Sequence, residues 1–116
     1  AAEDIGKCAY GVFKNGDKYI DKTIGIAGGH LTGKQFSEAF TKAFGQEVVY
    51  APVTPAVYRG FGFPGADDMG NMYQFKAEFE KDYCNSRSIE LARTLNPALQ
   101  TFESWLKENK AKIPLE

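Results

Sequence analysis

The sequence contains one histidine and two cysteines, no apolar run near the ~20 residues of a membrane span, and no excess of either charge. Each shortage excludes something. His30 with Cys8 and Cys84, whose separation fits no metal or redox motif, cannot complete a zinc site. Fourteen Lys and Arg stand against fifteen Asp and Glu, a net charge of −1. The pI is near 5.9. No basic field exists to hold a nucleic acid backbone or an anionic membrane, so neither is expected as a partner. A signal-peptide h-region, an internal repeat, a low-complexity tract and a linker are also missing.

What remains is the composition of a globular domain. The chain has 116 residues, 43% hydrophobic and 25% charged, which fits one domain over 1–116 with one modest core. Nine Phe, six Tyr and one Trp make 14% aromatic residues. That is much aromatic surface for a short chain, and something must cover it. Cys8 and Cys84 leave two readings open: one disulfide in a secreted protein, or two free thiols in a reducing compartment. The start Ala1-Ala2-Glu3 lacks a Met, as expected of a processed product or of a piece of something longer.

Periodicity places the elements. Ile5, Cys8, Ala9, Val12 and Phe13 recur along one helical face, with Glu3 and Asp4 at its start and Asn15-Gly16 at its end. Lys22 to Ala27 reads as a short strand running into the turn at Gly28-Gly29. Thr32 and Gln35 form a capping box for a helix bearing Phe36, Ala39, Phe40, Ala43 and Phe44, stopped by Gly45. Glu47 to Val53 reads as a second strand. The expected fold class is therefore α/β: a small parallel two-strand βαβ core, strands at about 22–28 and 47–53, surrounded by helices. Unpaired edges on such a sheet imply a larger sheet or a partner chain.

The second half reads as helical. Thr54-Pro55 opens a turn or two of helix to Arg59, and Gly60-Phe61-Gly62-Phe63-Pro64-Gly65 breaks it. One helix is expected from Ala66 to about Asp82, a short one from Ile89 to Leu95, and a last one capped by Thr101.

Little in the chain carries chemistry. Gly25-Ile26-Ala27-Gly28-Gly29-His30 lies between strand and helix, as a phosphate loop would, but its glycines have the wrong spacing and a plain turn is expected. His30 reads as a turn or cap residue, Asp67-Asp68 as the start of a helix. Ser37, Ser86, Ser88 and Ser104 sit in no nucleophile context. The segment Tyr58 to Phe63, with Met69 and Met72 behind it, could form a mouth for an apolar ligand or a partner chain, or could simply close the core.

Specific stretches resemble a known family. Gly62-Phe63-Pro64-Gly65-Ala66-Asp67-Asp68-Met69-Gly70-Asn71-Met72-Tyr73-Gln74-Phe75 is similar to the signature stretch of NmrA-like proteins, within the atypical short-chain dehydrogenase superfamily. Arg93-Thr94-Leu95-Asn96-Pro97 followed by Thr101-Phe102-Glu103-Ser104-Trp105-Leu106 is similar to that family's closing segment, and Glu3-Asp4-Ile5-Gly6 to its "DIG" helix start. The resemblance covers essentially the whole chain, and only the C-terminal, substrate-domain part of the family. It implies a fold in which Tyr58, Phe61, Phe63, Met69, Met72 and Phe75 face a cleft beside the nicotinamide. It also implies relatives that sense NADP, dimerise and bind other proteins. The family's Gly-rich loop and NADP-reading residues have no counterpart here, so no cofactor is expected for this chain alone.

Three functional readings follow. The first is a non-catalytic ligand- or partner-binding module derived from an NmrA-like NADP-sensing regulator. It would be cytoplasmic, and a homodimer or bound to another protein through apolar surface. The second is a stand-alone, processed and secreted protein with a structural or small-ligand role. The third is an enzyme in its own right, which no visible base, nucleophile or metal constellation supports.

Overall fold

Thr32 starts the best-defined helix. Its hydroxyl accepts from the Gln35 N–H at 3.2 Å while its own N–H donates to Gln35 Oε1 at 2.8 Å. This reciprocal capping box is worth about 1 kcal/mol. The helix runs Gly33–Phe44 and closes on Gly45 at φ 73°, a left-handed conformation that glycine adopts without strain. The structure, a computed structural model, describes residues 1–114. In chain order the helices are α1 (Ala2–Lys14), α2 (Gly33–Phe44), α3 (Pro55–Arg59), α4 (Ala66–Glu78), α5 (Glu80–Asn85), α6 (Ile89–Leu95) and α7 (Phe102–Asn109). Single turns of 3₁₀-helix at Gly16–Tyr19 and Lys110–Lys112 follow α1 and α7.

These helices form two compact units. One comprises Ala1–Tyr50 and the residues from Arg87 onward, the other Ala51–Ser86. In the first, α1 packs on α6 and α2 on α7. Cys8, Ala92 and Leu95 form the centre of its core, with Val12, Ile24, Ile26 and Leu99 packed around them. Phe102 meets the α2 stripe edge to face, at 4.7 Å from Phe36 and 5.3 Å from Phe40. Such pairs contribute about 1 kcal/mol beyond their buried area. The expected apolar face of α2 is thus borne out.

The face of α1 is the expected one only in part: Cys8 and Val12 enter the core, but Ile5 and Phe13 do not. Asp4, Cys8 and Gly11 are its buried residues, whereas Ile5 is 64% and Phe13 82% exposed. Two interactions rotate the helix. Gly11 lies so close to α6 that a Cβ there would overlap the Leu95 carbonyl. Asp4 is drawn inward by donors that only the fold supplies.

The expected α/β fold is also corrected. Among the described residues no strand forms, and the only bridge outside named strands is a single parallel one between Ile26 and Ser88. The physical reason lies in the partners. The 22–28 run meets the residue preceding α6 rather than the 47–53 run. In the second run the Val48 N–H donates to Thr41 Oγ1 at 2.9 Å, and the Thr41 hydroxyl donates to the Val48 carbonyl at 3.4 Å. A side chain of α2 therefore takes both backbone groups that a sheet neighbour would have taken. Tyr50 lays its ring where a side chain at Gly33 would sit. A β-prone run becomes a strand only when another strand lies about 4.8 Å away.

The second unit is the helix pair α3–α4, continued by α5. Thr54 caps α3, its hydroxyl accepting from Val57 N–H at 3.3 Å. Gly70 lets α4 approach closely, because a Cβ there would overlap Arg59 Cγ. The single helix expected over 66–82 bends at Phe79 (φ −114°, ψ 32°) and resumes as α5.

Candidate functional site

The turn between α3 and α4 builds the candidate site. Gly62 (φ 72°) and Gly65 (φ 88°) both adopt left-handed backbone, which reverses the chain within six residues and throws Phe61 and Phe63 back over α3. Tyr58 is the hub. Its ring lies 5.3 Å from Phe61, 5.8 Å from Phe63 and 5.1 Å from Tyr73, and its hydroxyl points to Met69 Sδ at 4.0 Å. The structure thus brings Tyr58, Phe61, Phe63 and Met69 together, as the sequence reading expected of a mouth. It adds Tyr73, which that reading passed over, although Met69 and Tyr73 are one helical turn apart.

Two expected members stand apart from the ring cluster. Phe75 stacks on Phe79 at 5.0 Å, and Met72 is exposed one residue before Tyr73. With Phe79, just past the end of α4, they follow i, i+3, i+7 spacing, a second apolar stripe that borders the first where Met72 follows Met69 by three residues. Neither patch is covered: Phe61 is 53% exposed and Phe75 52%.

The polar side of the same unit is internally occupied. Arg59 Nη1 donates to Asn71 Oδ1 at 3.2 Å and to Gln74 Oε1 at 2.9 Å, and Gln74 Nε2 donates to Glu78 Oε1 at 2.7 Å. Lys76 sits over the rings of Tyr73 and Tyr83, at 5.7 and 5.3 Å. Partial burial and the neighbouring Tyr73 push the Tyr58 hydroxyl above the ordinary tyrosine value, so it stays protonated at neutral pH and serves poorly as a base.

The other candidates fall into structural places. Cys8 is buried and Cys84 half-buried, and both are free thiols. Burial raises the Cys8 thiol above its ordinary value, and the Asp4 charge raises it further. Cys8 Sγ lies 3.6 Å from the Ala92 carbonyl, to which it donates. His30 Nε2 is 3.0 Å from the Arg87 carbonyl, a loop tie rather than a base. Asp67 and Asp68 lie in the first turn of α4, where the helix dipole favours them, although the cap itself is Gly65. Ser88 caps α6 through the Leu91 N–H, and Ser104 bonds to Thr101.

Gly60, Gly62 and Gly65 do spell G-x-G-x-x-G, but they join helix to helix, where a dinucleotide fingerprint joins strand to helix. The two aspartates at the start of α4 would also repel a pyrophosphate. Among the described residues no cluster of three His, Cys, Asp or Glu could hold a metal, and no helix is long and apolar enough to cross a membrane.

The profile of a family described as NmrA-like matches residues 1–106. An NmrA-like family domain-containing protein 1 from Rattus norvegicus is 37% identical over 91 residues, covering 73% of this chain and 55% of the relative. The chain therefore spans about half the length of that relative.

Proposed function

The chain belongs to the NmrA-like family, and from that premise we propose that it is a non-catalytic binding module, a relative of NmrA-like regulators that engages a protein partner through the Tyr58 cluster. One observation carries the reading. Tyr58, Phe61, Phe63, Met69 and Tyr73 form a contiguous apolar surface that remains open to solvent. Aromatic and methionine side chains are the types that interfaces concentrate, because they bring large contact area and adaptable shape. No general base, nucleophile or metal cluster accompanies them.

The first partner in this reading is a second copy of the chain. A net charge of −1 gives little long-range repulsion against self-association. Free thiols at Cys8 and Cys84 favour the reducing cytoplasm over the secreted alternative. Sedimentation velocity at micromolar concentration tests the interface. Wild type should sediment as a dimer, and Phe61→Glu with Met69→Glu should return it to 12.8 kDa. A wild-type species of that monomer mass would sink the homodimer.

A further inference from the structure

We propose that α4 pairs antiparallel with α4 of a second copy across a two-fold axis at Met72, in a register set by ion pairs between Asp68 of one copy and Lys76 of the other. This pairing rests on the self-association proposed for the Tyr58 surface and gives it a geometry. Five residues carry it. Met69 and Phe75 lie three positions either side of Met72, and Asp68 and Lys76 lie four positions either side. All are within the helix Ala66–Glu78. Offsets of three and four share a helix face, so one face of α4 carries an acid, three apolar side chains and a base along its length. Met69, Met72 and Phe75 are 37%, 39% and 52% exposed. Met69 also touches the Tyr58 hydroxyl, which joins this face to the aromatic cluster.

Turned end for end about Met72, the face matches itself. Met69 comes level with Phe75 of the second copy, and Asp68 with its Lys76. Phe79, seven positions after Met72, comes level with Gly65, seven positions before it, where a Cβ would meet nothing within 4 Å. A parallel pair would instead set Asp68 against Asp68 and Lys76 against Lys76, and like charges oppose it.

Both charges lack a counter-ion inside the chain. Among the described residues the ion pairs are Lys7–Asp4 and Lys34–Glu38. Asp68 and Lys76 are eight positions apart, about 12 Å along the axis, too far to meet each other. Lys76 is half-buried, with its ammonium held over the rings of Tyr73 and Tyr83. A side chain already held this way has less entropy to lose on pairing. The helix dipole favours Asp67 and Asp68 alike, but Asp67 lies about 100° round the helix from Asp68 and off this face.

The test measures the dimer dissociation constant of the full chain by sedimentation equilibrium. Asp68→Lys and Lys76→Glu should each weaken the dimer at least about tenfold, because each sets like charges level with one another. The two together should restore it to near the wild-type value. Asp67→Lys, which removes the same favourable charge from the helix start, should change it less than about twofold. Met72→Cys in a Cys84→Ser background should form a disulfide with its counterpart under mild oxidant, since the two-fold brings the pair together. Single reversals without effect, a double reversal no tighter than the weaker single one, an Asp67→Lys loss equal to that of Asp68→Lys, or no cross-link would each overturn the pairing. A wild-type dimer that Phe61→Glu with Met69→Glu dissociates, but that both charge reversals leave intact, keeps the proposed interface and overturns only this geometry. A wild-type monomer overturns both.

Discussion

Asn96 Nδ2 donates to Asp4 Oδ1 at 2.8 Å, joining side chains 92 positions apart in the sequence. Both residues are about 4% exposed. The other carboxylate oxygen takes the Gln100 N–H at 3.1 Å, and Asn96 Oδ1 accepts from Ala98 N–H at 3.2 Å. One buried carboxylate therefore fixes the start of α1 to the loop between α6 and α7. Its nearest cation, Lys7, is 3.9 Å away and half exposed, so the hydrogen bonds matter more than the ion pair.

Asp4→Ala should destabilise the chain by about 3 kcal/mol, because it leaves the Asn96 amide and the Gln100 N–H buried without an acceptor. Urea unfolding measures this through the midpoint at unchanged slope. A loss below about 0.5 kcal/mol would show that water replaces the carboxylate.

Two glycines in one helix should respond in opposite directions. Gly6 has open space where a side chain would go, so Gly6→Ala should stabilise by about 0.5–1 kcal/mol through helix propensity. Gly11 faces the Leu95 backbone, and Gly11→Ala should cost about 2 kcal/mol by forcing α1 off α6. Thermal melts of the two variants decide it. The same sign for both would refute the packing of α1 on α6.

The two thiols should differ in reactivity. In the native chain an aromatic disulfide reagent should titrate half-buried Cys84 quickly and reach Cys8 only on unfolding. The raised Cys8 value also makes stability depend on pH. Below the ordinary thiol value of about 9, both states hold the proton and its contribution is complete. Above that value the unfolded chain ionises first, and stability falls as pH rises toward the native value. The difference in urea midpoint between wild type and Cys8→Ala should therefore shrink as the pH rises past about 9. A pH-independent difference would argue against a buried thiol.

NADPH should not bind this chain measurably. Dinucleotide binding in this superfamily relies on a strand–turn–helix whose backbone N–H groups reach the pyrophosphate. A single aromatic stacking contact supplies only about 1 kcal/mol, against about 8 kcal/mol for a micromolar complex. Calorimetric titration that found micromolar affinity would overturn the non-catalytic reading.

Much of the site was legible in the sequence, and for a local reason. Glycines, proline and aromatics crowded into Gly60–Gly65 announce a reversal that exposes apolar rings, and helical spacing puts Met69 behind them. Tyr73 was left out because nothing in its own helix shows that its ring meets Tyr58 across the chain reversal. The family resemblance also rested on short contiguous stretches, Gly62 to Phe75 above all, and the match over residues 1–106 bears it out. Buried Asp4 had no such signature. Its partners, Asn96 and the Gln100 N–H, lie 92 and 96 positions away, so no window along the chain contains both.

The sequence by itself determined where four of the helices start: Thr32, Thr54, Ser88 and Thr101 all cap as their side chains dictate, because a cap is completed within three residues. Tertiary structure alone decided what the runs at 22–28 and 47–53 became. Their composition favours strands, but a strand also requires a neighbour's backbone. Ser88 meets Ile26 at a single point, and Thr41 takes both backbone groups of Val48. The same rule turned α1. Its apolar stripe was local, whereas the close approach of Gly11 to Leu95 and the donors around Asp4 came from α6 and the loop beyond it.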